Sequence, residues 1–439
     1  MAALVVAKGP RHWHTMSQSE HLVLHPDSSV AVVGTGSIGL LALKETLEYF
    51  SSQVPNGSSH VGTGSSVSNR FTGPQLQNLR KRVVGFERAA SVGGVWRSSR
   101  TPFGNAYDSL HTNSSKLMMQ ISDFPWSRVE ENPDLGTFPS REEVCKYYQG
   151  YSDYHHLENF ILFHTEVLKV EFKTAGSLPQ SPSQAKRYRI TYRMHHPSGG
   201  SSLHAKEFDI VFCCSGQYSS RSVPNIPGVS SFGAFMCHSH DYRNPDTVLM
   251  AAAKQHSHHT ATTVLRPKVV VVGVGNSALD IALELCNAGA EVIISYRSPP
   301  MIIPVADSNK SPLDVKLLTR FYQQSLPRSI RGAHFFYWLL RDINKAFRAG
   351  GLPSVDKRVP GIQVKFSNLK EHELWKRLLK SGHVSFRPHV TQLGARRVGF
   401  ADQSEVSGVD AIIFCTGYHL EFPYLSKVCL FYCGGFQCA

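Results

Sequence analysis

The chain has 439 residues, 41% hydrophobic and 18% charged, which is enough for two or three domains with sizeable cores and too apolar for a disordered chain. Its 46 basic and 33 acidic residues give a formal net charge of +13. No basic run is interleaved with aromatics, so anionic cofactors account for the charge without a nucleic-acid partner, and no run of the ~20 apolar residues that span a bilayer is present.

Residues 1–27 read as an N-terminal extension. A short apolar opening is followed by Lys8, Arg11 and several histidines, with no acid before Glu20 and no signal-peptide core. A frayed extension on a cytoplasmic protein is the expectation, with a weak organellar presequence or a peripheral membrane location as alternatives. Residues 28–50 predict a strand, a glycine turn and a helix, and the Ser/Gly/Asn/Gln-rich stretch 51–80 predicts a flexible insert. Val83-Val84-Gly85-Phe86 restores a strand. Residues 140–157 predict a helix opened by a Ser140/Glu143 capping box. Alternating apolar residues predict antiparallel strands over Ile161–Phe172 and Tyr188–Tyr192, joined by a Ser/Pro/Gln loop.

Asp209–Cys214 predicts a fully buried strand ending at Ser215-Gly216, with Pro224, Pro227 and Gly228 as linker punctuation. After a second insert, 247–266, a strand from Lys268 leads through a second glycine turn into a helix to Asn287. A strand follows at Glu291–Tyr296, then a mostly helical stretch over 312–350. Asp410–Cys415 predicts a last buried strand, ending at Thr416-Gly417-Tyr418. Strands alternating with helices argue for doubly wound α/β sheets. Nine cysteines without a CxxC pair fit free thiols in a reducing compartment. Cys429, Cys433 and Cys438 lack a neighbouring His or zinc-like spacing, so no metal is expected.

The two glycine turns carry the chemistry. Val33-Gly34-Thr35-Gly36-Ser37-Ile38-Gly39 and Val272-Gly273-Val274-Gly275-Asn276-Ser277-Ala278 both follow hydrophobic runs. One GxGxxG is weak evidence, whereas two at strand-to-helix junctions point to two dinucleotides and electron transfer between them. The first glycine makes the tight turn, the second admits a pyrophosphate, and the third lets helix and strand pack closely. Glu87, at the tip of the second strand, is placed to accept hydrogen bonds from a ribose; the 51–80 insert accounts for its distance from the turn. The alternative is a solvated strand-end charge. In the second unit Arg297 stands where that acid would be, so a 2′-phosphate, hence NADP, is favoured over NAD, with a plain surface cation as the alternative. Asp280 reads equally as a cap, a solvent-facing charge or a cofactor contact.

Further segments resemble the flavin-containing monooxygenases. They are Ser91-Val92-Gly93-Gly94-Val95-Trp96, Thr112-Asn113-Ser114-Ser115-Lys116-Leu117-Met118-Met119, Ser122-Asp123-Phe124-Pro125, Phe232 to His238 in an FxGxxxH-type signature, and Phe414-Cys415-Thr416-Gly417-Tyr418. The resemblance runs in order over residues 28–425 apart from the inserts. It implies two Rossmann-like dinucleotide-binding domains of glutathione-reductase type, a discontinuous FAD domain, and FAD and NADPH as cofactors. It also implies insertion of one oxygen atom from O₂ into a soft nucleophilic N or S of a small molecule through a flavin C4a-hydroperoxide. The cofactor contacts it implies are Gly34, Thr35, Gly36, Ser37, Ile38, Gly39, Glu87, Arg88, Gly94, Val95, Trp96, Thr112, Asn113, Ser114, Gly273, Gly275, Asn276, Ser277, Ala278, Arg297, Thr416 and Gly417, with Asn113 as the catalytic side chain. His238 reads as a structural tie between the linker and the cofactor domains.

The expected division is an extension 1–27, an FAD domain 28–230, an NADPH domain 231–405, and a return to the FAD domain over 406–439 that reads as truncated. Ala234 stands where the signature has glycine, and Ser37-Ile38 replaces a Pro-Ser pair. Alternatives are an N-hydroxylating or Baeyer–Villiger monooxygenase, and a cofactor-binding pseudoenzyme.

Overall fold

The computed structural model describes residues 4–6, 25–53, 71–98, 103–173, 188–256, 266–298, 301–306, 311–317, 345, 347–349, 351–352, 366–369 and 371–425. In chain order the first half contains β1 (Leu4–Val6), β2 (Val30–Val33), α1 (Ser37–Ser52), α2 (Gly73–Arg82), β3 (Val83–Phe86), α3 (Lys116–Met119), α4 (Arg141–His155), β4 (Ile161–Leu162), β5 (Thr165–Phe172), β6 (Tyr188–His195), β7 (Ser201–Phe208) and β8 (Ile210–Cys213). The second half contains β9 (Ser220–Arg221), β10 (Phe235–His238), α5 (Pro245–His256), β11 (Lys268–Val272), α6 (Asn276–Asn287), β12 (Glu291–Tyr296), β13 (Met301–Pro304), α7 (Leu313–Leu317) and β14 (Phe366–Leu369). It closes with α8 (His372–Lys380), β15 (Val384–Pro388), β16 (Val390–Leu393), β17 (Arg397–Phe400), β18 (Glu405–Ser407), β19 (Ala411–Phe414) and β20 (Tyr418–His419).

Unbroken apolar strands need cover on both faces, and that requirement builds two parallel sheets. β2, β3 and β19 are buried at every position. The first sheet has the order β1-β8-β2-β3-β4 and the second β10-β19-β11-β12-β15. All neighbours are parallel except β1, which runs antiparallel along β8. Each glycine-turn strand, β2 or β11, lies between its following strand and a strand from much later in the chain.

That late strand is held by one device used twice. Asp209, just before β8, accepts from the Ser29 amide (2.7 Å) and hydroxyl (2.6 Å) and returns its own amide to the Ser29 carbonyl (3.0 Å). Asp410, just before β19, accepts from the Lys268 amide (2.8 Å) and donates to the Lys268 carbonyl (2.8 Å). Two carboxylates, that of Asp410 buried, thus set the register at the start of both glycine-turn strands.

Several expectations change. The supposed insert 51–80 begins inside α1 and ends with α2, and the insert 247–266 begins inside α5; residues 54–70 and 257–265 lie outside the described residues. The N-terminal extension is not wholly frayed, because β1 pairs with the edge of β8. The single strand expected over Ile161–Phe172 divides at Phe163-His164. β4 finishes the first parallel sheet, and β5 starts a separate antiparallel sheet with β6 and β7. Its third strand, β7, is mostly exposed and carries no apolar alternation, which hid it.

The return to the first unit does not begin at 406. β18 and β19 stay in the second unit, because β19 fills the space between β10 and β11. The crossing starts at β20, which pairs with β9, and is completed where Leu425 bridges Val170 and the Val170 amide donates to the Tyr424 carbonyl (2.7 Å). Of the 312–350 stretch, residues 312–317, which include α7, and helical residues at 345 and 347–349 are described; the rest of it, and Cys429, Cys433 and Cys438, lie outside the described residues.

Candidate functional site

Both glycine turns end in helices whose N-termini are left open. α1 and α6 start after Gly36 and Gly275, without a side-chain cap and without an acid in the first turn. α4 shows the contrast: its Ser140 hydroxyl accepts from the Glu143 amide (3.3 Å), the Glu143 carboxylate accepts from the Ser140 amide (2.8 Å), and Glu142 and Glu143 occupy its first turn. Uncapped amides at the positive end of a helix dipole bind anions. α1 and α6 keep that capacity, and α4 does not.

The turns are shaped by steric necessity. Gly34 has φ of +89°, and a Cβ there would meet the Cys214 carbonyl oxygen at 2.7 Å. Gly273, at φ of +115°, sits in the same way against the Cys415 carbonyl. A Cβ on Gly39 would overlap the Gly34 carbonyl, whereas Ala278 at the matching place of the second turn is accommodated with no exposure.

Glu87 and Thr35 stand differently from the expectation. Glu87 is buried, and its carboxylate accepts from the Thr35 amide (2.9 Å), the Thr35 hydroxyl (3.0 Å) and the Ala89 amide (3.0 Å). The guanidinium of the buried Arg97, a residue outside the predicted set, lies 3.9 Å from it. Glu87 therefore holds the first turn in shape, and Thr35 is wholly engaged in that task. Arg88 is exposed and lies over the Phe103 ring at 4.6 Å. Gly94, Val95 and Trp96 form a single 3₁₀ turn backed against the first glycine turn; a Cβ on Gly94 would come 3.0 Å from the Gly36 Cα.

One cleft joins the two units. It has a volume of about 150 Å³, and its wall carries Trp96, Thr112 and Asn113 from the first unit and Asn276, Ser277 and Asp280 from the start of α6. Tyr107, Leu110 and His111 complete it. Thr112 is buried, with its hydroxyl donating to the Ser114 carbonyl (2.6 Å) and its amide to Pro139 (2.9 Å). That clamp leaves Asn113 exposed at the cleft. Ser114 follows, and the Ser115 amide donates to the Asp314 carboxylate (2.7 Å).

Gly34, Gly36, Ser37, Ile38, Gly39, Gly273, Gly275, Asn276, Ser277 and Ala278 thus lie at the two helix starts. Arg297 is exposed just past the end of β12, beside the second turn, where the Gly273 amide donates to the Ser295 carbonyl (2.8 Å). Thr416 and Gly417 do not line the cleft. The Thr416 hydroxyl donates to the Ser222 carbonyl, and the Gly417 carbonyl accepts from the Ser222 amide (3.0 Å) and from His238 Nε2 (3.1 Å). Because the His240 amide donates to His238 Nδ1 (3.1 Å), the ring is the neutral Nε2–H tautomer. Burial lowers its pKa, more than the Gly417 hydrogen bond raises it. Ala234, which stands where the signature has glycine, has no left-handed φ, so a side chain is accepted there without backbone strain. Among the described residues no His/Cys/Asp/Glu group could hold a metal, and no helix is long and apolar enough to cross a membrane.

The fold and site define an α/β protein with two glycine-turn helices, each open to an anion, and a cleft in which the start of the second meets Trp96, Thr112 and Asn113 of the first unit. The chain matches the flavin-binding monooxygenase-like family over residues 78–433, and it belongs to that family, one of FAD- and NADPH-using oxidoreductases. The first glycine turn lies ahead of the matched range. The chain is similar to flavin-containing monooxygenase 3 of Rattus norvegicus, 29% identical over 407 residues that cover 90% of this chain and 63% of the relative. It is also similar to flavin-containing monooxygenase 5 of Cavia porcellus, 26% identical over 359 residues covering 78% and 58%. The chain therefore spans about three-fifths of the length of these curated relatives. Among solved structures it shares its fold with Tmm from Pelagibacter sp. strain HTCC7211 (TM-score 0.53, 20% identity, 91% of this chain and 63% of that one). It shares it also with NADP⁺-bound cyclohexanone monooxygenase from Rhodococcus sp. Phi1 (TM-score 0.52, 14% identity, 89% and 70%).

Proposed function

We propose that this chain is an NADPH-dependent flavoprotein monooxygenase that places one oxygen atom from O₂ on a soft nucleophilic nitrogen or sulfur of a small molecule. Two Rossmann-like dinucleotide-binding domains would carry it, FAD on the first unit and NADPH on the second. The observation behind this reading is the shared cleft, which brings Asn113 and Trp96 opposite the start of α6. Its volume is small beside the ~300–1,000 Å³ of a whole ligand site, and suits the meeting point of two cofactor ends.

The residues present fit both groups. The first turn offers glycine backbone and open helix amides to the FAD pyrophosphate, and Glu87 keeps that turn in shape. A carboxylate has about four acceptor sites, and three described donors occupy Glu87, which leaves room for one ribose hydroxyl. Gly94, Val95 and Trp96 border the same turn, with Arg88 at its rim. On the second unit Gly273, Gly275, Asn276 and Ser277 receive the NADPH pyrophosphate, Ala278 packs the helix, and Arg297 pairs with the 2′-phosphate. Bound FAD supplies hydride acceptance and oxygen activation. Asn113, held by Thr112 and Ser114, supplies one amide donor and one acceptor where the cofactors meet. Thr416 and Gly417 act at a distance, by tying the linker to His238.

Arg297→Ala tests the assignment. The expected result is a roughly tenfold rise in the NADPH requirement, the worth of one charge-assisted phosphate contact, with the NADH requirement unchanged. Equal rises for both would remove the 2′-phosphate role. Full-length protein that binds neither FAD nor NADP⁺ would overturn the whole reading, and ester formation from a ketone would redirect it to a Baeyer–Villiger oxygenation.

A further inference from the structure

Asp280 and Asp314 both belong to the second unit, and each reaches the segment of the first unit that carries Asn113, on opposite sides of it. Upstream, the Tyr107 hydroxyl donates to Asp280 Oδ2 (2.8 Å); Tyr107 is buried, and its carbonyl accepts from the Leu110 amide (3.1 Å). Downstream, the Ser115 amide donates to Asp314 Oδ2 (2.7 Å), two residues past Asn113. Asp280 also lines the cleft beside Ser277 and Asn276. The side chain that fixes the Asn113 segment therefore belongs to the same helix start that would receive the nicotinamide dinucleotide.

A second tyrosine on the same helix gives a reference point. One turn further along α6, Glu284 accepts from the Tyr242 hydroxyl (2.6 Å). The Tyr107 and Tyr242 rings meet edge to face, with centroids 6.0 Å apart. The two pairs share their chemistry and their helix, but Glu284 and Tyr242 do not line the cleft.

We propose that Asp280, through Tyr107, is a positioning residue that couples occupation of the second glycine turn to the order of the Asn113 segment, with Asp314 as the fixed anchor at the far end. The Tyr107–Asp280 hydrogen bond ties the start of α6 to the Asn113 segment, so an anion that orders the start of α6 orders that segment as well, and breaking the tie loosens both. This inference rests on the proposed NADP assignment of the second unit.

The test is amide hydrogen exchange of the 108–119 segment in the full chain, with and without NADP⁺, and NADP⁺ affinity by equilibrium titration. Wild type is expected to gain protection there on NADP⁺ addition. Tyr107→Phe and Asp280→Ala should lose at least half of that gain and weaken NADP⁺ binding several-fold. Asp280→Asn keeps an acceptor oxygen and should retain most of the gain, and Tyr242→Phe should behave as wild type. Unchanged protection and affinity in Tyr107→Phe and Asp280→Ala would overturn the coupling while leaving the cofactor assignment intact. Equal losses in Tyr242→Phe would overturn it in favour of general loosening of the helix. Wild type that fails to bind NADP⁺ would overturn the assignment itself, and the coupling with it.

Discussion

Gly39 and Ala278 occupy matching places at the end of the two glycine turns, and they differ in what the surrounding backbone allows. A methyl group on Gly39 would enter the Gly34 carbonyl, where no rotamer can relieve the clash because both partners are backbone. Gly39→Ala is expected to cost about 3 kcal/mol, the upper end of overpacking penalties, and to abolish FAD retention. Ala278→Gly removes a methyl group that the second turn accommodates, and should cost only about 1 kcal/mol through helix propensity. Urea unfolding of both variants, with flavin absorbance after gel filtration, reads the difference; comparable losses in the two would show that the turns are equivalent. Both positions were legible as a motif in the sequence. The burial of Glu87 behind Thr35 was not, because a strand-tip acid looks the same in sequence whether it faces a ribose or its own loop.

At the scale of elements, α4 shows how far local signals reach. Its start was readable from Ser140 and Glu143, and the capping box is present in both directions. Glu143 has a second partner that the sequence does not reveal. The buried Lys116 ammonium lies 2.8 Å from Glu143 and 2.6 Å from Glu130, and ties the Asn113 segment to α4. Burial alone would raise the Glu143 pKa, yet hydrogen bonds from Lys116 and Ser140 outweigh it and hold the carboxyl near pH 2. A folded-state value below the ordinary one means that this contribution is present above about pH 4.3 and disappears as pH falls toward 2. Ser140→Ala should cost about 1 kcal/mol at neutral pH. It should also weaken the acid dependence, since one of the groups depressing the Glu143 pKa is gone. Denaturant titrations at pH 7 and pH 3.5 check both parts; an unchanged midpoint at pH 7 would mean that the cap is idle.

For the molecule as a whole, the join between units is the sensitive place. β10 and β19 are parallel neighbours, and from their ends His238 donates to Gly417 while Thr416 and Gly417 hold Ser222. Arg221, His240 and Asp241 surround the imidazole, with the Tyr418 ring against it. A histidine whose folded pKa is lowered leaves the unfolded chain with more bound protons below its ordinary value of about 6.5. Stability should then be full above that pH and decline as pH falls below it. His238→Gln should flatten the slope between pH 6.5 and pH 5, measured as the urea midpoint; an unaltered slope would assign the acid sensitivity to another group.

The strands Val30–Val33, Lys268–Val272 and Glu291–Tyr296, both glycine turns and the helices after them followed from residues adjacent in the chain, because hydrophobic period and turn chemistry act over a few residues. Asn113 was marked by its neighbours alone. What only the tertiary structure decided was every relation across long separations: the insertion of β19 into the second sheet, the crossing at β20, the carboxylates of Asp209 and Asp410 at the strand starts, and Tyr107 against Asp280. Such contacts join residues far apart in the chain, and they are selected by the packing of whole sheets and helices, which no local pattern of residues encodes.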